Sequence, residues 1–134
     1  MSALIRIRGA ILDVDAVLAS LSALEPCAVF RKGDLTGAEQ GPSKYEASGA
    51  YFDVDGTDFQ TLDEQFVLFE EFARLYEDDV LRLTTSIGID EAYVDFAVVK
   101  NSKMYPLQKE YLSLERIALL TRLNLGFQIS SWSE

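Results

Sequence analysis

Residues 62–83 read LDEQFVLFEEFARLYEDDVLRL, and two patterns run through them. Leu62, Phe66, Phe69, Ala73, Tyr76, Val80 and Leu83 recur at alternating steps of four and three, the spacing that stacks side chains on one stripe of an α-helix. Asp63, Glu64, Glu70, Glu71, Glu77 and Asp78 fall on a separate band of the same helix. The stretch is expected as one long helix with an oily face turned to a core and an acidic face turned outward.

The segments on either side of that helix alternate between β and α periods. Upstream, Leu4-Ile5-Arg6-Ile7-Arg8 is a short β-type run. Asp13-Val14-Asp15 then opens a helix whose Val14, Val17, Leu18 and Leu21 keep helical spacing. Pro26 restarts an extended segment over 27–31, ended by Lys32-Gly33-Asp34, where Gly beside Asp is turn chemistry. Residues 45–54 read as a strand that Asp55-Gly56-Thr57-Asp58 turns into the long helix. Downstream, Tyr93, Val94, Phe96, Val98 and Val99 mark a strand over 91–100, and Ser113 caps a helix holding Leu114, Ile117, Ala118 and Leu120. Asn124 to Gly126 stops it, and Phe127 and Ile129 alternate in a final strand over 125–132. The expected order is β-α-β-β-α-β-α-β: an α+β domain with a single mainly antiparallel sheet, helices packed on one face, ferredoxin-like in character. No linker divides it, since 33–43 is of loop length, so residues 1–134 are expected as one domain. Five of the seven residues in 9–15 recur in 49–55, but two copies make no repeat architecture, and chance or shared strand-to-helix turn chemistry is expected ahead of duplication of a ferredoxin-like half.

Composition narrows the chemistry. With 49% hydrophobic residues in 134, the chain is long enough to bury roughly two-thirds of its extended surface. It has no histidine, which removes imidazole general bases, Ser/His/Asp systems and His-containing zinc sites. Its one cysteine, Cys27, closes no internal disulfide, which suits a reducing compartment; a buried structural thiol is expected. Residues 1–9 alternate arginine with apolar residues, unlike a signal peptide, and no run approaches the roughly 18 apolar residues of a membrane span. A cytoplasmic protein is expected. The formal net charge is −10. Between Asp53 and Asp95 stand thirteen acids against Arg74 and Arg82, so one third of the chain carries all of that charge. Such a balance argues against nucleic acid or an anionic membrane as the main partner.

Several groups of residues could carry chemistry. Asp53, Asp55, Thr57 and Glu64 match oxygen positions of a calcium-binding EF-hand loop, but the glycine its sharp turn requires is at the fourth position, Gly56, while Asp58 occupies the sixth. No metal site or cofactor is expected. Paired carboxylates do acid/base work only when one is desolvated enough to hold a proton near neutral pH, which a solvated band does not provide; no catalytic residue is assigned. Arg31-Lys32-Gly33-Asp34 lacks the glycine spacing of a phosphate loop and reads as a turn. The acidic band is different. Its acids come in pairs seven apart, and Asp53, Asp55, Asp58, Asp79, Asp90 and Glu91 extend it at both ends. Like charges four apart cost a helix a few tenths of a kcal/mol, so keeping them suggests a use for their field. That field reaches about 8 Å at physiological salt and steers a basic partner.

Pro26 followed by Lys32-Gly33-Asp34, the long helix of 62–76, the Val/Phe strand and a last Leu-rich helix running into an aromatic strand together look like a bacterial domain family of unknown function. The chain also resembles the small acidic immunity proteins of contact-dependent growth inhibition and other polymorphic toxin systems. The resemblance implies a non-catalytic protein that neutralises a cognate toxin domain. A basic nuclease is the partner that the charge suits, occluded by the acidic surface. The expected partner-binding residues are Asp53, Asp55, Asp58, Asp63, Glu64, Glu70, Glu71, Glu77, Asp78 and Asp79, with Phe59 and Tyr93 as aromatic anchors. Two other classes stay open: a small-molecule-binding module, which a co-purifying ligand would reveal, and an enzyme using carboxylates or Tyr, which a carboxylate titrating near neutrality would support.

Overall fold

A computed structural model of the chain describes residues 3–37, 43–54, 61–100 and 111–133. Strand β1 (Leu4–Gly9) alternates buried Ile5 and Ile7 with Arg6 and Arg8, so one of its faces meets a core and the other carries charge. Asp13 caps α1 (Val14–Ser20), its carboxylate accepting from the Ala16 N–H at 3.1 Å, and Val14 and Val17 turn inward. After β2 (Ala28–Phe30), Gly33 takes φ +91°, a left-handed value that glycine adopts without strain, and the Asp34 N–H closes the turn on the Arg31 carbonyl at 3.0 Å. Then follow β3 (Ser48–Asp53), α2 (Leu62–Leu75), α3 (Glu77–Thr84), β4 (Glu91–Lys100), α4 (Leu114–Arg122) and β5 (Gly126–Ser133). Ser113 caps α4 through the Arg116 N–H at 3.2 Å, and Asn124 leaves it with φ +57°.

The strands form one sheet in the order β2-β3-β1-β4-β5. Central β1 pairs antiparallel with both β3 and β4, and β2 lies antiparallel to β3. Residues from all four helices enter the same core as the inward residues of the sheet. Phe66 of α2 stacks on Phe96 of β4 at 5.0 Å between ring centres, and Phe69 meets both edge-on. The described residues thus form an α+β fold with a single mixed sheet of five strands and four helices.

Three expectations need correction. The sheet is mixed because β4 and β5 run parallel: the chain leaves β4, crosses through α4 and returns in the same direction, a connection that needs a helix-length crossover. The helix of 62–83 is two helices, broken at Tyr76, whose φ −120° and ψ 26° leave helical space while its ring packs on Phe72 at 4.9 Å. The apolar stripe survives the break, because Leu62, Phe66, Phe69, Ala73, Val80 and Leu83 are all buried. Cys27 is exposed, not buried: it precedes a three-residue edge strand, where its Sγ lies 3.3 Å from the Tyr51 carbonyl. The sequence echo, expected to be no repeat, falls at different points of its two strands: Gly9 ends β1 while Gly49 lies inside β3.

Candidate functional site

The acids of α2 divide into two stripes with different fates. Asp63 and Glu70 face α4. There Arg116 reaches both, with Nη1 at 2.8 Å from Asp63 Oδ1 and Nε at 2.9 Å from Glu70 Oε1, while its guanidinium lies 4.9 Å from the centre of the Phe66 ring. Burial alone would lower the Arg116 pKa; hydrogen bonds to Asp63 and Glu70 outweigh it and raise the pKa above the ordinary arginine value. Glu77, one more heptad along, lies 3.4 Å from Arg122 Nε. Between α2 and α4 runs a groove of about 880 Å³ lined by these ion pairs together with Arg74 and Tyr111.

Glu64, Glu71 and Asp78 stand one residue further round and are exposed, with no basic partner among the described residues. Val67 is 44% and Leu75 74% exposed. At helical spacing Glu64, Val67, Glu71 and Leu75 share one outward stripe of α2, opposite the core stripe of Phe66, Phe69 and Ala73, and Asp78 follows just past the break, in the first turn of α3. Two apolar side chains therefore sit among three carboxylates on open surface.

The remaining expected site residues are elsewhere. Asp79 is buried, with 2% exposure, and caps the chain after α1. Its Oδ1 accepts from the Ser22 N–H and hydroxyl, both at 2.9 Å, and its Oδ2 from the Ala23 and Leu24 N–H groups at 2.8 and 2.9 Å; Arg82 Nη1 lies 2.8 Å from Oδ1. Burial pushes its pKa up, but the hydrogen bonds prevail and hold it well below the usual carboxylate range. Asp79 is an internal fastening and leaves the binding set. Tyr93 also leaves it: in register with Arg6, it lies on the sheet face turned away from the helices. Asp53 closes β3 on that same face, in register with Leu4. Asp55, Asp58 and Phe59 lie outside the described residues.

The reading of a continuous, wholly solvated acid band is thus corrected. Asp63, Glu70 and Glu77 pair with arginines of α4, whereas Glu64, Glu71 and Asp78 have no basic partner among the described residues. Sequence reasoning missed Arg116 and Arg122 because they lie far along the chain from the acids they meet. The exposed Val67 and Leu75 were legible as apolar residues off the core stripe. Among the described residues, no group of three or more His, Cys, Asp or Glu could hold a metal ion, and no helix is long and apolar enough to cross a membrane. Comparison with family models, curated proteins and solved structures gives no match to this chain.

Proposed function

We propose that this protein is a non-catalytic inhibitor that binds a basic partner through the outward stripe of α2 and α3, and that the partner is a toxin domain of a bacterial polymorphic toxin system, met in the cytoplasm. The observation that carries the reading is the set Glu64, Val67, Glu71, Leu75 and Asp78. Its carboxylates supply a steering field, and its two exposed apolar side chains supply a centre that a partner can desolvate. Counting the α2–α4 groove as well, the surface holds seven carboxylates (Asp63, Glu64, Glu70, Glu71, Glu77, Asp78 and Glu115) against the guanidiniums of Arg74, Arg116 and Arg122, so it stays acidic after internal pairing. The first four strands, with β1 between β3 and β4, also favour a ferredoxin-like scaffold to which α4 and β5 are added.

The test is co-expression with the product of the neighbouring reading frame, followed by binding kinetics at low and high salt. Glu64→Lys with Glu71→Lys should slow association by about tenfold or more, whereas Val67→Ala with Leu75→Ala should mainly speed dissociation. Tight binding that ignores both pairs of substitutions would remove this surface from the interface.

A further inference from the structure

The sheet face turned away from the helices carries a hollow that protein binding by α2 does not use. Across the strands, Tyr51, Arg6 and Tyr93 stand in one row and Gly49, Arg8 and Glu91 in the next. Phe30 of β2 is in register with Gly49, and its ring lies where a side chain at 49 would stand. Tyr45 stacks on Phe30 at 4.8 Å between ring centres, and Tyr51 tilts against it at 5.6 Å. These groups enclose about 300 Å³, the small end of ligand-pocket sizes.

The two arginines of the hollow are not equivalent. Arg6 is part of the floor. Its guanidinium lies 4.5 Å from the centre of the Tyr51 ring, and its Nε is 3.2 Å from Asp95 Oδ2, while Asp95 Oδ1 accepts from the Ser130 hydroxyl at 2.7 Å. The contact with Asp95 is one of charge only: the buried Nε–H of Arg6 is aligned on no acceptor. Arg8 is about half exposed, and its closest ion-pair partner, Glu91, is 3.9 Å away, beyond hydrogen-bond reach. By contrast, Arg31, Arg82 and Arg116 sit 2.7 to 2.9 Å from their carboxylates. A guanidinium fork held this loosely beside stacked rings suits a planar carboxylate: the fork takes both oxygens and the rings take the aromatic face. Burial raises the Tyr93 pKa, with charges as smaller effects, so its phenol stays protonated near neutral pH and can donate to the same anion.

We infer that this hollow binds a small aromatic carboxylate, its ring against Phe30 and Tyr45 and its carboxylate on Arg8. The site lies across the sheet from α2 and stands or falls separately from the inhibitor reading. Anthranilate is a suitable probe, followed by its fluorescence and by amide shifts of the labelled protein. Saturable binding is expected, with shifts at Arg6, Arg8, Tyr51 and Tyr93 and none along α2. The neutral anthranilamide should bind about tenfold more weakly or worse, and Arg8→Gln should cost anthranilate a similar factor. Glu91→Gln, which removes the competing carboxylate, should tighten it. No saturation at millimolar probe would overturn the inference, as would indifference to Arg8→Gln in a folded variant. Tighter binding of the cation benzamidine, lost in Glu91→Gln, would overturn it in favour of a cation site.

Discussion

Asp79 illustrates how far the environment of one side chain can depart from its sequence neighbourhood. It follows Glu77 and Asp78 in an acidic run, yet it alone is turned inward, where three successive N–H groups and a hydroxyl converge on it. Replacing it by Asn puts an amide donor among donors, and a loss of about 2–4 kcal/mol is expected. The pH dependence has a definite sign. Its folded pKa lies below the unfolded value, so its contribution is complete above about pH 4 and fades as pH falls below that. Urea midpoints measured from pH 7 downward should drop in acid for the parent protein and drop less for Asp79→Asn. Gln65 makes a similar point. Beyond the start of β1, the Ala97 N–H and carbonyl are met by the buried Gln65 amide, at 3.1 and 2.5 Å, as though by another strand. Gln65→Leu keeps the volume and strands both groups; a loss of about 2 kcal/mol, read from the urea midpoint, is the expected outcome.

At the scale of elements, α4 does more than cover β5. Arg116 bridges Asp63 and Glu70 across the groove and lies over Phe66, so it ties α4 to α2 by charge and by ring contact. Because both carboxylates are substantially exposed, the ion pairs are modest. Arg116→Ala is expected to cost about 1–2 kcal/mol in thermal or urea unfolding, and Arg116→Lys to recover only part of it, since an ammonium neither forks nor stacks. Equal stability of the Lys variant and the parent would show that position 116 contributes charge alone. The break at Tyr76 belongs to this scale as well. The four-and-three stripe of 62–83 was legible, and every member but Tyr76 is buried; the interruption was not legible, because periodicity counts apolar positions and says nothing of φ and ψ at one residue.

For the whole molecule, the net charge of −10 sets both solubility and self-repulsion. Raising ionic strength from about 0.01 to 0.15 M shortens the screening length from about 30 to 8 Å, so the melting temperature should rise with salt. Glu64→Lys or Glu71→Lys should reproduce part of that rise at low salt. A melting temperature that is flat or falls with salt would mean that internal pairs of the Arg116 type dominate the electrostatics. The two faces of the molecule then differ in what they offer. The helical side presents carboxylates around Val67 and Leu75, and the open sheet face presents aromatic rings around Arg6 and Arg8.

The α+β class, nearly every element and most of the core followed from the sequence alone, because helix and strand periods, Asp13 and Ser113 as caps, and the Gly33 turn are all local signals. The alternation of Ile5 and Ile7 with Arg6 and Arg8 already placed two guanidiniums on one sheet face. Which acids remain available depends on long-range contacts. Arg116 approaches Asp63 and Glu70 from about fifty residues away, Ser22 to Leu24 claim Asp79 from a similar distance, and Phe30 meets both Tyr45 and Tyr51. Charge is a property of composition, but its availability depends on which side chains folding brings within about 3 Å of one another, and no local pattern encodes that distance.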